Sequence, residues 1–584
     1  MSRVLKYVLR YKWHVIIPTI AMILAIALDM FNPYLQELIT DKVFIGGNKS
    51  LLWPILWGFI AITVLRAVLG YVKEYIFDVL SAKISIDIKK DLFDHIQSLP
   101  FSYFDSMNTG ELMSRIGEDV DNIWRSVSFG IRLFIENMIY FVTASVILFL
   151  INWKLTFVCL AGMPLIGYLA LQFEKKIGIS YGKLSDQGVL MNTAAQENIA
   201  GVRLVKAFAR EKYEIMKFLN LNNENFELSM EQNRIVSRYF PPIDFLTNLS
   251  IVILVVLGGV LVIHSTLSIG ELVAFSGYIY MLIWPMRMLG FLTNLIAQSD
   301  ASAKKIMKIM DVVPEIRDSA NSVRLDNLKG DIEFRNVSFR YNDELVLKDI
   351  NLKVDAGKTV AIMGTTGSGK SSIINLIGRY YDVLDGAIYI DGHDVREINL
   401  EDLRSQMAVV QQDTFLFSAS IEENIKFGKP DATMDEIVDA CKLACVDDFI
   451  EELDDKYDTV IGERGIGLSG GQKQRISIAR ALIRDAKILI LDDATSALDM
   501  DTEYRLLKNL NERHKDATTF IIAHRISAVK NSDMIIYMED GRIVERGTHE
   551  ELLAKKGKYY EIYCEQFKDF SDLDDESYDM CTVE

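Results

Sequence analysis

The sequence predicts a two-part chain: a membrane α-helical domain of six spanning helices with long cytosolic extensions, followed by an α/β domain. Three observations predict it. Apolar stretches lie near 14–35, 52–73, 130–151, 155–173, 241–263 and 271–297, each close to the ~20 residues a helix needs to cross hydrocarbon. The connections 83–116 and 174–214 are charged yet helical in pattern, with few prolines or glycines, so the spans continue into water as helices. Beyond Met310 strand-like apolar runs alternate with helical ones, the pattern of an α/β fold.

The spans come first. Half of the 584 residues are apolar and mean hydropathy is +0.16, high for a soluble protein. Lys6, Arg10 and Lys12 precede an apolar run reaching Tyr34, longer than the ~7–15 residues of a cleavable signal core, so it is expected to be the first span. Lys and Arg concentrate at the amino terminus and in the two long connections, whereas Asn152–Lys154 and His264–Gly270 are short and nearly uncharged. The amino terminus, the long connections and the second half are therefore expected in the cytosol, with the chain in a bacterial cytoplasmic membrane. The net charge of −17 argues against a nucleic-acid partner. Cys159, Cys441, Cys445, Cys564 and Cys581 show no metal-ligand spacing and are expected as reduced thiols.

The expected boundaries are a membrane domain over 1–310, a linker over 311–330 rich in Pro, Asp, Ser and Asn, an α/β domain over 331–566, and a disordered acidic tail over 567–584.

Within the α/β domain, the buried-strand pattern from Val360 runs into Gly364-Thr365-Thr366-Gly367-Ser368-Gly369-Lys370-Ser371, and a helix begins at Ser372. Glycines let successive backbone N–H groups wrap a phosphate, and the helix amino terminus adds a favourable dipole. Lys370 is placed to neutralise β and γ phosphates, and Ser371 to ligate Mg²⁺. A second strand pattern, Lys487 to Leu491, ends in Asp492 and Asp493; an acid at such a tip holds the metal through its water shell, a role given to Asp492. Between them Leu468-Ser469-Gly470-Gly471-Gln472 leads into another helix, a second phosphate cradle. One nucleotide does not need two cradles from one chain, so the economical arrangement is a head-to-tail pair sharing each nucleotide.

With these motifs the chain resembles the ABC transporter family, and the order of its domains resembles an exporter half-transporter. The resemblance extends from the first span to about Gln566. It implies ATP and Mg²⁺ as cofactors, hydrolysis coupled to transport, a P-loop ABC ATPase domain, and a second half-subunit as partner. By resemblance Tyr341 stacks on adenine, Gln412 touches Mg²⁺ and the attacking water, and Leu468 to Gln472 form the signature. Ser496 to Asp499 form the D-loop, His524 is the switch histidine, and Glu463 is the loop acid that reports to the membrane domain. Gln411 stands where a proline is common.

Asp493 departs from the pattern, since the family usually has a glutamate there to polarise water. One methylene fewer withdraws the carboxylate by about 1.5 Å, and a misplacement of about 1 Å costs ~10²-fold in rate. The expectation is a slow site on this chain and a heterodimer, in which the intact signature completes a competent site on the partner.

The segments 101–123 and 197–214 resemble the two coupling loops of exporters, the second reaching the partner's nucleotide domain. Ionisable residues in spans usually face a cavity or a partner, which selects Asp29, Arg66, Glu136, Asp244 and Arg287. The sixth span offers Tyr278, Tyr280, Met281, Trp284, Met286 and Met288, a soft surface for varied apolar cargo. Asp29, Asp244, Tyr278, Met281, Trp284 and Met288 are the candidate cargo residues. The cargo expected is a multidrug or lipid-like small molecule, with membrane lipid as surroundings. An importer on the same framework, a homodimeric exporter, or a non-transporting ATP-gated switch would keep every motif. Soluble ABC ATPases are excluded by the spans.

Overall fold

The computed structural model describes residues 2–567 except 320, 321, 326, 463, 464 and 466. The acidic tail from 568 and Glu463 therefore lie outside the described residues, as do the side chains of Met286 and Arg287. The chain divides into one unit of residues 1–98 and 108–313 and a second of 99–107 and 314–584.

The first unit is helical. After a short helix α1 (Ser2–Arg10) come α2 (Lys12–Leu38), α3 (Leu52–Gln97), α4 (Arg132–Leu160), α5 (Met163–Ala200), α6 (Glu211–Ile263) and α7 (Ile269–Met310). Among the described residues five helical stretches are long and apolar enough to cross a membrane. The remaining expected span, near 155–173, is divided between two helices. Asn152 leaves the helical region (φ −156°, ψ 102°) inside α4, and Gly162 ends the turn before α5, which opens on Met163-Pro164. The apolar sequence thus turns its outer corner at Asn152 and descends through the end of α4 into α5. In α3 only 6% of the most apolar window is buried, and Trp53, Trp57, Val64 and Leu65 are exposed. An apolar surface of that extent belongs against lipid. The extra-membrane end of α7 is capped by Ser268, and Asp41 accepts from Gly270 N at 2.7 Å and from the Ser268 hydroxyl at 2.5 Å. Extension of α3, α5, α6 and α7 well past ~20 apolar residues gives the long polar shafts expected.

The second unit has two sheets. β1 (Ile332–Tyr341), β2 (Glu344–Val354), β4 (Asp385–Ile390) and β5 (His393–Asp394) form an antiparallel sheet of order β2-β1-β4-β5. The larger sheet has the order β10-β9-β3-β8-β7-β6, made from β3 (Thr359–Gly364), β6 (Met407–Val410), β7 (Ile488–Asp492), β8 (Thr518–Ile522), β9 (Met534–Glu539) and β10 (Arg542–Gly547). All its pairings are parallel except β10 with β9. Each residue of β7 and β8 is buried, which is why these strands read as unbroken apolar runs. Side chains alternate between faces: Ile488 and Ile490 enter one core with Val360, Ile362 and Phe520, whereas Leu489 and Leu491 enter the other with Ala361, Met363 and Ile521. Three helices frame the site: α8 (Lys370–Ile377), α9 (Gly470–Leu482) and α10 (Met500–Arg513), and α11 (Lys558–Phe567) closes the described chain.

The stretch expected as a linker is partly ordered against this unit. Val323 bridges Ile398, and the Asp318 carboxylate accepts from Leu400 N at 2.8 Å. Residues 99–107 also belong here: Phe101 packs on Tyr380 (4.7 Å between ring centroids) and Tyr381 donates to Asp105 at 2.7 Å.

Candidate nucleotide site

Parallel strands deliver their functional ends to one edge of a sheet, where open α/β folds bind ligands. Here β3 ends in the glycine loop, β8 runs into His524, β7 ends at Asp492 and β6 runs into Gln412. The ends are aligned, since Leu491 pairs with Val410 and Asp492 with Ile522.

The loop after β3 is shaped by its glycines. Gly364 has φ +150°, and a Cβ there would lie 2.2 Å from the Met538 carbonyl oxygen. Gly369 precedes α8 with φ +94°, and its Cβ would meet Leu347 at 2.7 Å; only glycine fits either place. Lys370 is buried, and its ammonium donates to the carbonyls of Gly364 (3.0 Å) and Thr365 (2.8 Å). Burial lowers its pKa, opposed by the charges of Asp492 and Asp493. Ser371 lies 3.3 Å from Asp492 Oδ1. The Ser368 hydroxyl is buried without a partner among the described residues.

Gly369, Lys370, Ser371 and Asp492, with Tyr341, Thr366, Gly367, Ser372, Gln412, Asp493 and His524, line a cavity of about 400 Å³. Tyr341 is held edge-on by Phe339 (4.7 Å) and Tyr381 (5.1 Å). Burial raises the Asp492 carboxyl, the Ser371 hydrogen bond opposing and the Asp493 charge adding. A glycine-rich loop, a buried ammonium, an orphan hydroxyl and two carboxylates suit a nucleotide's phosphates with a hard cation. Asp493 has φ +47°, a left-handed conformation that aspartate tolerates better than most residues, and its N–H donates to Ile522 O at 3.0 Å.

Ser469 caps α9: its hydroxyl accepts from Gln472 N at 3.3 Å and its own N–H donates to Gln472 Oε1 at 2.7 Å. None of residues 468–472 lines the cavity. Asp499 precedes α10 and accepts from Thr502 at 3.1 Å.

Sequence reasoning missed three residues that hold these loops. Gln474 on α9 donates to Ser496 Oγ (3.1 Å) and accepts from Ala497 N (3.0 Å). Arg525 donates to the carbonyls of Leu498 (3.0 Å) and Ser496 (3.4 Å). Gln566 on α11 donates to His524 O (2.6 Å) and accepts from Ile526 N (2.9 Å). Their adjacency to the signature and switch motifs was the available signal for the first two; Gln566 carried none.

In the helical unit the candidate cargo residues separate. Asp29 is buried and engaged within the bundle, by Arg66 (3.0 Å), Tyr140 (2.9 Å) and Asn32 (2.9 Å). Glu136 pairs with Lys73 at 2.8 Å. Tyr278 is buried, donates to Met30 O at 2.7 Å, and lines an apolar groove with Phe31, Tyr34 and Val146. Met281 packs against the bundle core, Trp284 is exposed, and Asp244 and Met288 are half-buried. A separate cavity of about 400 Å³ between α5, α6 and α7 contains none of these six.

Residues 15–286 match the family model described as ABC transporter transmembrane region, and residues 347–496 the one described as ABC transporter. The chain is 39% identical over 552 residues to the uncharacterized ABC transporter ATP-binding protein YknU of Bacillus subtilis, covering 94% of both proteins. It is 36% identical over 550 residues to the ATP-dependent lipid A-core flippase of Syntrophus aciditrophicus, covering 94% of this chain and 92% of that protein. Its fold matches a bacterial Atm1-family ABC exporter with ATP bound at a TM-score of 0.81 and 26% identity, over 95% of this chain and 98% of that one. The chain belongs to the ABC transporter family. Within it, the chain is an exporter half-transporter: a membrane-embedded subunit that hydrolyses ATP to drive transport and works as a dimer.

Proposed function

We propose that this chain is one half of a heterodimeric exporter of amphipathic or hydrophobic small molecules, carrying a weakly hydrolytic ATP site of its own. The observation that carries the reading is Asp493, a short carboxylate beside Asp492 in a cavity that its own signature does not enter. The chain would close the site by presenting Ser469, Gly470, Gly471 and Gln472 to nucleotide on its partner and receiving the partner's signature over its own P-loop.

In the site, Tyr341 stacks on the base, Gly364 to Gly369 wrap the phosphates, and Lys370 turns from carbonyls to phosphate oxygens. Ser371, Gln412 and Asp492 would hold Mg²⁺, which would supply charge neutralisation to the phosphates. Gln412 and His524 orient the attacking water and the γ-phosphate, Asp493 accepts the water's proton at a carboxylate set back from the usual reach, and Asp499 faces the partner across the dimer.

Ile199, Leu204 and Phe208, at the tip between α5 and α6, are exposed, which suits a surface covered by a partner's nucleotide domain. The lipid A-core flippase relative and the putative multidrug export relative YgaD of Bacillus subtilis support a membrane-partitioning cargo. The test measures ATP hydrolysis by the chain alone and with candidate partner half-transporters. Slow turnover alone and fast turnover in one mixed pair, lost when Ser469→Arg is placed in this chain, is expected. Fast hydrolysis by the lone chain would sink the heterodimer.

A further inference from the structure

We infer that the cavity between α5, α6 and α7 binds amphipathic organic cations, with Glu174 as their counter-charge. The inference rests on the export reading and names the chemical class for it.

The cavity encloses about 400 Å³, within the range of small-molecule sites. Among the described residues its walls carry the aromatic rings of Phe173, Tyr181, Phe240 and Phe291, side-chain amides, and one carboxylate, Glu174. No lysine, arginine or histidine among the described residues lines it. Its depth follows from the sequence, because α5 is apolar as far as Phe173 and α6 becomes apolar from Pro241. The cavity therefore opens where hydrocarbon gives way to headgroups, the layer in which a charged amphiphile rests.

Glu174 is half-buried and makes no ion pair among the described residues. Two cations further along α5 are engaged elsewhere: the Lys176 ammonium lies over the Tyr239 ring at 5.4 Å, and Lys183 approaches Glu231 at 3.6 Å. Gly290 makes room for the carboxylate, since a Cβ there would come within 3.2 Å of Glu174 Oε2. A partly desolvated carboxylate without a partner is costly to keep, and a cation offsets that cost. Phe and Tyr faces attract the same charge through their quadrupoles and cover the apolar body attached to it. An organic anion meets repulsion, and a metal ion finds one carboxylate where it needs several oxygens.

The test uses the full-length chain with its partner in inside-out vesicles, with tetraphenylphosphonium as probe and tetraphenylborate as its anionic isostere. Phosphonium binding and ATP-dependent uptake are measured separately. Phosphonium is expected to bind and borate not. Glu174→Gln raises the phosphonium dissociation constant tenfold or more, and Glu174→Asp raises it by less. Glu224→Gln, the same charge change on an exposed part of α6, leaves it within twofold. Binding of a fluorescent ATP analogue reports that each variant is folded; if Glu174→Gln is not, Glu174→Asp carries the comparison. Unchanged phosphonium affinity in the folded Glu174 variants, or equal binding of the borate, overturns the inference. Uptake of an uncharged amphiphile with no phosphonium binding overturns it while the export reading stands. Glu174-dependent binding without ATP-driven uptake of any probe sinks the export reading instead.

Discussion

The side-chain amide of Gln566 grips the backbone on both sides of Arg525, donating to His524 O at 2.6 Å and accepting from Ile526 N at 2.9 Å. The backbone beside His524 is thereby held from the last described helix, and Arg525 ties the same loop to the carbonyls of Ser496 and Leu498.

Replacing Gln566 with alanine removes both bonds, each worth ~1 kcal/mol. The expected result is a several-fold fall in kcat with nucleotide affinity nearly unchanged, because the P-loop is untouched. Gln566→Glu retains the acceptor and loses the donor to His524, and should fall between. Single-turnover hydrolysis and equilibrium nucleotide binding separate the two effects, and a change confined to affinity would contradict the assignment.

Asp493→Glu restores the longer carboxylate and is expected to raise hydrolysis at this chain's site by one to two orders of magnitude, the inverse of the ~10²-fold loss for a 1 Å setback. Because residue 493 has φ +47°, the variant should also lose about 1 kcal/mol of stability. Phosphate release and thermal unfolding measure the two outcomes. Unchanged turnover would mean that the loop already compensates for the shorter side chain.

Burial raises the Asp492 carboxyl, so above the ordinary aspartate value of about 3.9 there is a window in which the folded chain holds a proton the unfolded chain has released. Stability of the nucleotide-free protein falls as pH rises through that window. Mg²⁺ needs the carboxylate, so the rise in Tm caused by Mg-ATP should grow over the same interval. Asp492→Asn should flatten both trends, and thermal scans with and without Mg-ATP across acidic to neutral pH would show it.

Asp29→Leu leaves Arg66 and the Tyr140 hydroxyl without their shared acceptor. Asp29 is buried but Arg66 is half-exposed, so the loss is that of a hydrogen-bonded group left unsatisfied, ~1–3 kcal/mol, and Tm should drop by a few degrees whatever cargo is present. Asp29→Asn keeps both acceptor geometry and most of the stability. If instead Tm holds and only cargo-stimulated hydrolysis changes, Asp29 belongs to the transport path.

Where the candidate site residues lie was legible locally. Asp492 ends β7, His524 follows β8, and Lys370 and Ser371 open α8 after the loop from β3, and each such junction is visible as an apolar run followed by polar or glycine residues. The corner at Asn152 falls in the short connection 152–154 expected between the third and fourth spans, because two apolar runs of spanning length leave only those residues between them. Glu174 was invisible: its environment is made by α6 and α7, contributed from about 60 and 115 residues away in sequence. Asp29 shows the converse. Its charge in a span was conspicuous, but only packing reveals that Arg66 and Tyr140 already satisfy it. Gln566 lies 40 residues from Ile526, on a helix with no motif of its own.

The separation of the two cradles has a further meaning for the life of the molecule. With Ser469 to Gln472 absent from the cavity that Lys370 lines, the proposed reading has a newly inserted chain that has not met its mate hold nucleotide in an open-sided grip. On that reading hydrolysis would become a report of assembly, and an orphan subunit would sit idle in the membrane without draining the cell's ATP.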